Sequence, residues 1–325
     1  SMNVHGIMVY VLGSLALGIS MVFSPAVLQS YTEKICKTDK IAVGHFGGMV
    51  YFLAAWLGKI YGENSKSAED MKFPKKLAFL RDSSITVSVT YVESNLSDGK
   101  SYLTYAVLQA LTFTVGFVII TTGIRWFINE IVPAIKGIAD TWIPDAKPAV
   151  DCPVVFTYAP NSLMVGFLAS FVGGLVSMGV MIACQITVII PGIMAHFFVG
   201  ATAGVYGNST GGRRGAVLGG FVAGVIMSVL PELFLPYIGQ FATEHVTFPE
   251  PDIGLVGLIL GKYIKRVGPW GMLTILIGII IIIILIPEML VNREEGEEWY
   301  QYGMKPEKNK KNKPRKNKKP QGKNK

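Results

Sequence analysis

From Cys152 to Gly212 the chain runs for 61 residues without an Asp, Glu, Lys or Arg. A helix needs about 20 apolar residues to cross a bilayer. The run therefore holds two crossings and leaves a surplus. That surplus begins at Asp151 and reads Asp151-Cys-Pro-Val-Val-Phe-Thr-Tyr158-Ala-Pro160-Asn161. It is too short to cross and too apolar for a soluble loop. Pro153 has no N–H to donate, and Pro160 cannot sit inside a helix that continues through it. Broken backbone at membrane depth is tolerated only inside protein or beside a water-filled cavity. Asp151 stands at its mouth, and an ionisable residue there is a candidate functional group.

Half of the residues are apolar and 16% are charged. Over 325 residues that excludes an ordinary soluble domain and predicts an all-α, polytopic membrane protein in a lipid bilayer. The formal net charge of +8 misleads, because residues 304–325 carry eleven Lys/Arg and one Glu. A Lys/Asn/Pro-rich tail cannot bury enough apolar surface to fold. Residues 1–303 are read as the membrane domain and 304–325 as a disordered cytoplasmic tail. Contact with anionic headgroups is a second reading of the tail. No aromatic residue is interleaved with its lysines, so nucleic acid is not expected as a partner. Cys36, Cys152 and Cys184 show no metal-ligand or paired spacing. CxxC, HExxH and GxxxxGK are absent from the sequence, so no metal, cofactor or catalytic cluster is expected.

Several further segments are long and apolar enough to span: Ile7–Leu28, Ser101–Gly123, Leu163–Cys184, Ile186–Tyr206, Gly215–Leu235 and Val267–Pro287. Ile41–Leu57 is marginal and holds Gly44-His45-Phe46-Gly47-Gly48, which predicts a half-helix or broken span. Ile253–Gly261 reads as a further short element of that kind. Gly58–Asp82 is lysine-rich, so it should stay cytoplasmic, as a surface helix interrupted by Pro74. Trp126–Lys147 has Ile128, Ile131, Val132, Ile135 and Ile138 on one helical face, an interfacial amphipathic pattern. Gly200/Gly204 and Gly220/Gly224 are pairs that permit close helix contact. His196 reads as packed or hydrogen-bonded inside the bundle. His45 taken alone reads the same way.

Asp151-Cys-Pro, Tyr158-Ala-Pro-Asn161, Pro191-Gly192, His196-Phe-Phe, Gly200-Ala-Thr-Ala-Gly-Val-Tyr-Gly-Asn208 and Gly211-Gly-Arg-Arg214 occur in that order. With Val43-Gly44-His45 and Ser67-Ala-Glu-Asp70 before Pro74, the chain resembles the ascorbate-type EIIC permeases of the bacterial sugar phosphotransferase system. The resemblance covers most of Ile41 to Pro287. It implies re-entrant helical hairpins, a homodimer with an elevator motion, and a multi-pass place in the bacterial inner membrane. It also implies EIIB and EIIA components as partners and an ascorbate-like sugar acid as ligand. The permease itself makes no bond; the phosphoryl group travels on the partners. In that family the Gly-His motif lines the sugar site, which implies binding roles for His45, Phe46, Asp151, Cys152, Tyr158 and Asn161. Some members carry Gln where Phe46 stands, so the sugar preference stays open.

Placing the basic tail inside and counting crossings backwards leaves one crossing missing. It is missing at Ser83–Tyr102, where the family has a span. Only Ser83–Val92 is uncharged there, about 15 Å as helix against a core near 30 Å. The family also begins with spans that have no counterpart here. A truncated, non-transporting remnant is therefore a second expectation. A cation-coupled secondary transporter, with Asp151 as coupling group, is a third.

Overall fold

The computed structural model describes residues 7–71, 102–141, 147–243 and 246–291. Within them the chain is helical, apart from two short strands and their connections. Among the described residues, four helical segments are long and apolar enough to cross a membrane: Ile7–Cys36, Pro160–Cys184, Ile193–Tyr237 and Pro251–Leu285. The expectation of an all-α polytopic membrane protein holds. Ser83–Ser101 and the tail 304–325 lie outside the described residues.

Helix α1 (Ile7–Cys36) is 30 residues long and ends where Lys37 turns left-handed at φ 55°. Strand β1 (Ala42–Val43) follows, then α2 (Gly48–Tyr61), whose 14 residues make about 21 Å. This is the broken element expected around His45. Beyond α2 a surface helix was expected over 58–82. Residues 58–61 end α2, 62–71 are irregular with one 3-10 turn at Ala68–Asp70, and 72–82 lie outside the described residues. The reason lies in its partners. Arg213 N–H donates to Lys66 O at 2.9 Å, Arg213 Nε to Ser67 O at 3.2 Å, and Arg214 N–H to Ser65 Oγ at 3.3 Å. These bonds tie residues 65–67 to a distant segment, and Ser67 O closes the single local turn by accepting Asp70 N–H at 3.2 Å.

Helix α3 (Tyr102–Thr141) joins two stretches that read as separate elements. A single Arg125 does not interrupt a helix, and the first proline inside it is Pro133. Ile128 and Val132, on the predicted apolar face, pack against the buried core. Strand β2 (Ala149–Val150) and a 3-10 helix (Cys152–Thr157) lead into α4 (Pro160–Cys184). Pro160 falls in the first turn of α4, where a missing N–H costs nothing.

A short turn (Ile193–Ala195) and a π-helical turn (His196–Gly200) open α5 (Ala201–Phe234). Gly211 and Gly212 break α5 into two arms; Gly212 has φ 55° and ψ −147°, a region open to glycine. In a straight helix residues 203 and 219 would lie about 24 Å apart. Here a Cβ on Gly219 would sit 3.0 Å from Ala203 O, and one on Gly207 would sit 2.2 Å from Gly215 O. The arms are antiparallel, so the two crossings read from sequence are a glycine-hinged hairpin. Helix α4 lies against both arms: a Cβ on Gly204 would meet Gly166 Cα at 2.3 Å, and one on Gly224 would meet Ser170 O at 1.9 Å. His196 is buried in this seam, 2.7 Å from Ser170 Oγ.

Helix α6 (Pro251–Val291) is broken at Gly268, φ 72° and ψ 167°. Leu260 and Ile264 before the break and Met272 and Leu276 after it share one apolar cluster with Leu12 and Ala16 of α1. The larger core gathers α2, α4, α5, the 3-10 helix and the second half of α1.

Candidate functional site

Two broken elements meet at their strands. β1 and β2 pair in parallel, Ala42 with Ala149 and Val43 with Val150. Ala42 N–H donates to Pro148 O at 2.9 Å, and Gly44 N–H to Val150 O at 2.8 Å. Each strand thereby satisfies backbone groups that hydrocarbon cannot. A Cβ on Gly44 would lie 2.9 Å from Ala149 Cβ, so the approach needs glycine. α1 anchors both strands: Gln29 Nε2 donates to Ile41 O at 3.2 Å, and Glu33 pairs with Lys147 at 3.3 Å.

The residues just beyond the strands carry the chemistry: His45 two residues after β1 and Asp151 directly after β2. His45 Nδ1 accepts from Gly47 N–H at 3.1 Å and lies 2.7 Å from Tyr51 Oη. An amide N–H can only donate, so Nδ1 is bare and the neutral ring carries its proton on Nε2. Nε2 faces Asp151 Oδ1 at 3.9 Å. That is beyond a direct hydrogen bond and close enough for one ligand oxygen to meet both groups. His45 lies in the loop between α1 and α2, outside the spanning helices. Burial lowers its pKa below the ordinary histidine value, against the opposing pull of Asp151 and Glu250.

Asp151 Oδ1 also accepts Cys152 N–H at 2.7 Å, which caps the 3-10 helix and leaves the side chain 56% exposed. Cys152 is fully buried, and its thiol points at Phe198 O, 3.9 Å away. Burial, then the neighbouring Asp151 carboxylate, pushes that thiol well above its usual pKa. Ligand atoms of His45, Asp151 and Cys152 fall within 4.8 Å of one another. With the imidazole proton on Nε2, the trio presents a hydrogen-bonding edge in which Asp151 is the acceptor.

Other residues named from the sequence sit elsewhere. Phe46 joins the site through its backbone, accepting Asp252 N–H at 2.8 Å. Tyr158 is 45% exposed and lines a hollow of about 280 Å³ with Thr38, Lys40, Val132 and Val154, whose walls do not include His45 or Asp151. Asn161 is fully buried at the head of α4, and its Nδ2 donates to Ala68 O at 3.1 Å and Glu69 O at 3.2 Å. Glu69 in turn caps α4, accepting Ser162 N–H at 2.8 Å, Ser162 Oγ at 2.7 Å and Asn161 N–H at 3.2 Å.

Tyr51 and Tyr206 were not singled out from sequence. His45 stacks on Tyr51 at 5.8 Å, Tyr51 on Tyr206 at 5.6 Å, and Tyr206 Oη meets Thr32 Oγ1 at 2.7 Å. This ladder ties the site to α1. Tyr206 lies inside a motif that was noticed, but nothing in linear spacing pairs it with Tyr51.

Residues 1–252 match the family model of the PTS system sugar-specific permease component, EIIC-GAT. The chain belongs to that family. A curated relative of this permease component is the ascorbate-specific PTS system EIIC component of Mycoplasma pneumoniae, 26% identical over 229 residues. The match covers 58% of this chain and 35% of the relative, so the chain spans about a third of the length of that protein. The site residues named from the sequence divide in space: His45, Phe46, Asp151 and Cys152 gather at the strand ends, Tyr158 lines the separate hollow, and Asn161 joins Glu69 at the head of α4.

Proposed function

We propose that this chain binds ascorbate or a related sugar acid between His45 and Asp151 and carries it across the bacterial inner membrane. The ligand would be phosphorylated on the cytoplasmic side by an EIIB component charged by EIIA, with the permease working as a homodimer. One observation carries the reading: an Nε2–H donor and a carboxylate acceptor face each other at 3.9 Å where two broken elements meet inside a helical membrane bundle. A hydroxyl-rich ring bridges such a pair. The name of the relative from Mycoplasma pneumoniae supports ascorbate over other sugars. In this reading His45 and Asp151 act through direct bonds, Phe46 and Cys152 through backbone position and packing beside them, and Tyr158 and Asn161, which sit elsewhere, take no part in holding the ligand.

Uptake of labelled ascorbate in cells with and without the partner components tests this. Accumulation of a phosphorylated product only with the partners is the expected result. Proton-coupled uptake of unmodified ascorbate would replace it with the cation-coupled reading, and no uptake under either condition would favour a non-transporting chain. Asp151→Asn removes the charged acceptor and should abolish binding, whereas Asp151→Glu should weaken it.

A further inference from the structure

Asp252 is a fully buried carboxylate that the His45–Asp151 pair does not use. It lies in the first turn of α6, some 200 residues from His45, and it grips the His45 loop from both ends. Its own N–H donates to Phe46 O at 2.8 Å. Its Oδ1 accepts Met49 N–H at 3.1 Å. Between those two anchors lies Gly47, whose N–H reaches His45 Nδ1. α2 has no side-chain cap of its own, since Gly47 occupies the cap position. Asp252 supplies the missing acceptor from another helix.

Charge and shape agree with this role. The carboxylate faces the N-terminal amides of α2 and stands in the first turn of α6, two positive helix ends. That field favours an anion and disfavours a cation site in the same spot. A Cβ on Gly48 would fall 2.5 Å from Ser24 Cβ and 3.5 Å from Asp252 Oδ2, so α1, α2 and α6 converge too closely for any other side chain there.

We propose that Asp252 is a positioning residue for sugar binding. By fixing Phe46 and Met49 it aims Gly47 N–H at His45 Nδ1, which keeps the imidazole proton on Nε2, toward Asp151. Asp252 does not touch the ligand. The proposal rests on the reading of His45 and Asp151 as the sugar-binding pair.

The test compares Asp252→Asn with Asp252→Leu in the full chain, purified into lipid nanodiscs. The two replacements share the branched outline of aspartate, leucine being the bulkier, and differ in whether an oxygen remains to accept Met49 N–H. Nitrogen-15 histidine spectra read the tautomer of His45, assigned by the signal lost in His45→Gln. Ascorbate affinity is measured on the same samples. The asparagine variant should keep the Nε2–H tautomer and bind within about threefold of wild type. The leucine variant should show mixed tautomers and bind about tenfold or more weakly, as expected when a hydrogen bond to a charged group is lost. Asp252→Ala carries the same comparison should leucine prevent folding. A leucine or alanine variant with wild-type tautomer and wild-type affinity overturns the proposal. Asparagine and leucine variants that both lose affinity with the His45 tautomer unchanged overturn it as well. Wild-type protein that holds the tautomer and fails to bind ascorbate refutes the ascorbate reading instead, and the tautomer comparison still decides the role of Asp252.

Discussion

Gly224→Ala should loosen the contact between α4 and the hairpin. A Cβ at that position would lie 1.9 Å from Ser170 O and 2.7 Å from Ser170 C, both backbone atoms that no rotamer change can move. Ordinary contact begins near 3.4 Å, so the helices must part by about 1.5 Å along the seam. Membrane helices associate through close packing rather than through a hydrophobic drive. Parting them forfeits dispersion contacts along several turns, and overpacking of this kind costs about 1–3 kcal/mol. The companion substitution is Gly18→Ala in α1, where a Cβ meets nothing within 4 Å. It should be neutral or stabilise by up to about 1 kcal/mol, because alanine is the better helix former. Thermal unfolding of both variants in one detergent gives the comparison. A Gly224→Ala protein that melts with the wild type would refute the argument that backbone contact at this seam holds the hairpin to α4.

Three other expectations follow from single features. Glu69→Ala strips three hydrogen bonds from the head of α4 and should cost about 1–2 kcal/mol in the same melting assay, with Glu69→Gln recovering part of the loss. His45 has a folded-state pKa below its unfolded value, so its contribution to stability is complete above about pH 6.5 and is lost as pH falls, because the unfolded chain takes up the proton first. His45→Gln should therefore flatten the drop in melting temperature between pH 7 and pH 5. Deleting residues 304–325 should leave the melting temperature unchanged, since that Lys/Asn/Pro-rich stretch has no apolar face to bury.

Some of this was legible in the linear sequence and some could not have been. Long uncharged runs, proline positions and glycine clusters are local signals, and they marked α1, α4, both arms of α5 and the two broken elements. His45 and Asp151 stood out because each is a lone ionisable residue beside a broken apolar segment, and the structure brings them to 3.9 Å. Partnerships across about 90 residues or more leave no such trace. Asp252 was not singled out from the sequence, and it is buried against Met49. The family resemblance implied a binding role for Asn161, yet its amide is spent on Ala68 and Glu69. Part of the surface helix expected over 58–82, residues 62–71, is irregular for a related reason. That stretch is tied to Arg213 and Arg214, which no window around it contains.

The parallel pairing of β1 and β2 also sets an order of events during synthesis. Gly44 N–H finds its partner only at Val150, 106 residues later in the chain. At ribosomal rates of about 5–20 residues per second, that partner emerges roughly 5–20 s after Gly44. Throughout that interval the first broken element has backbone donors that lipid cannot receive. It must wait in the translocation channel, in water or under a membrane chaperone. A ribosome stalled between residues 44 and 150 should thus leave a nascent chain that quality-control proteases recognise, even though α1 and α2 are already complete.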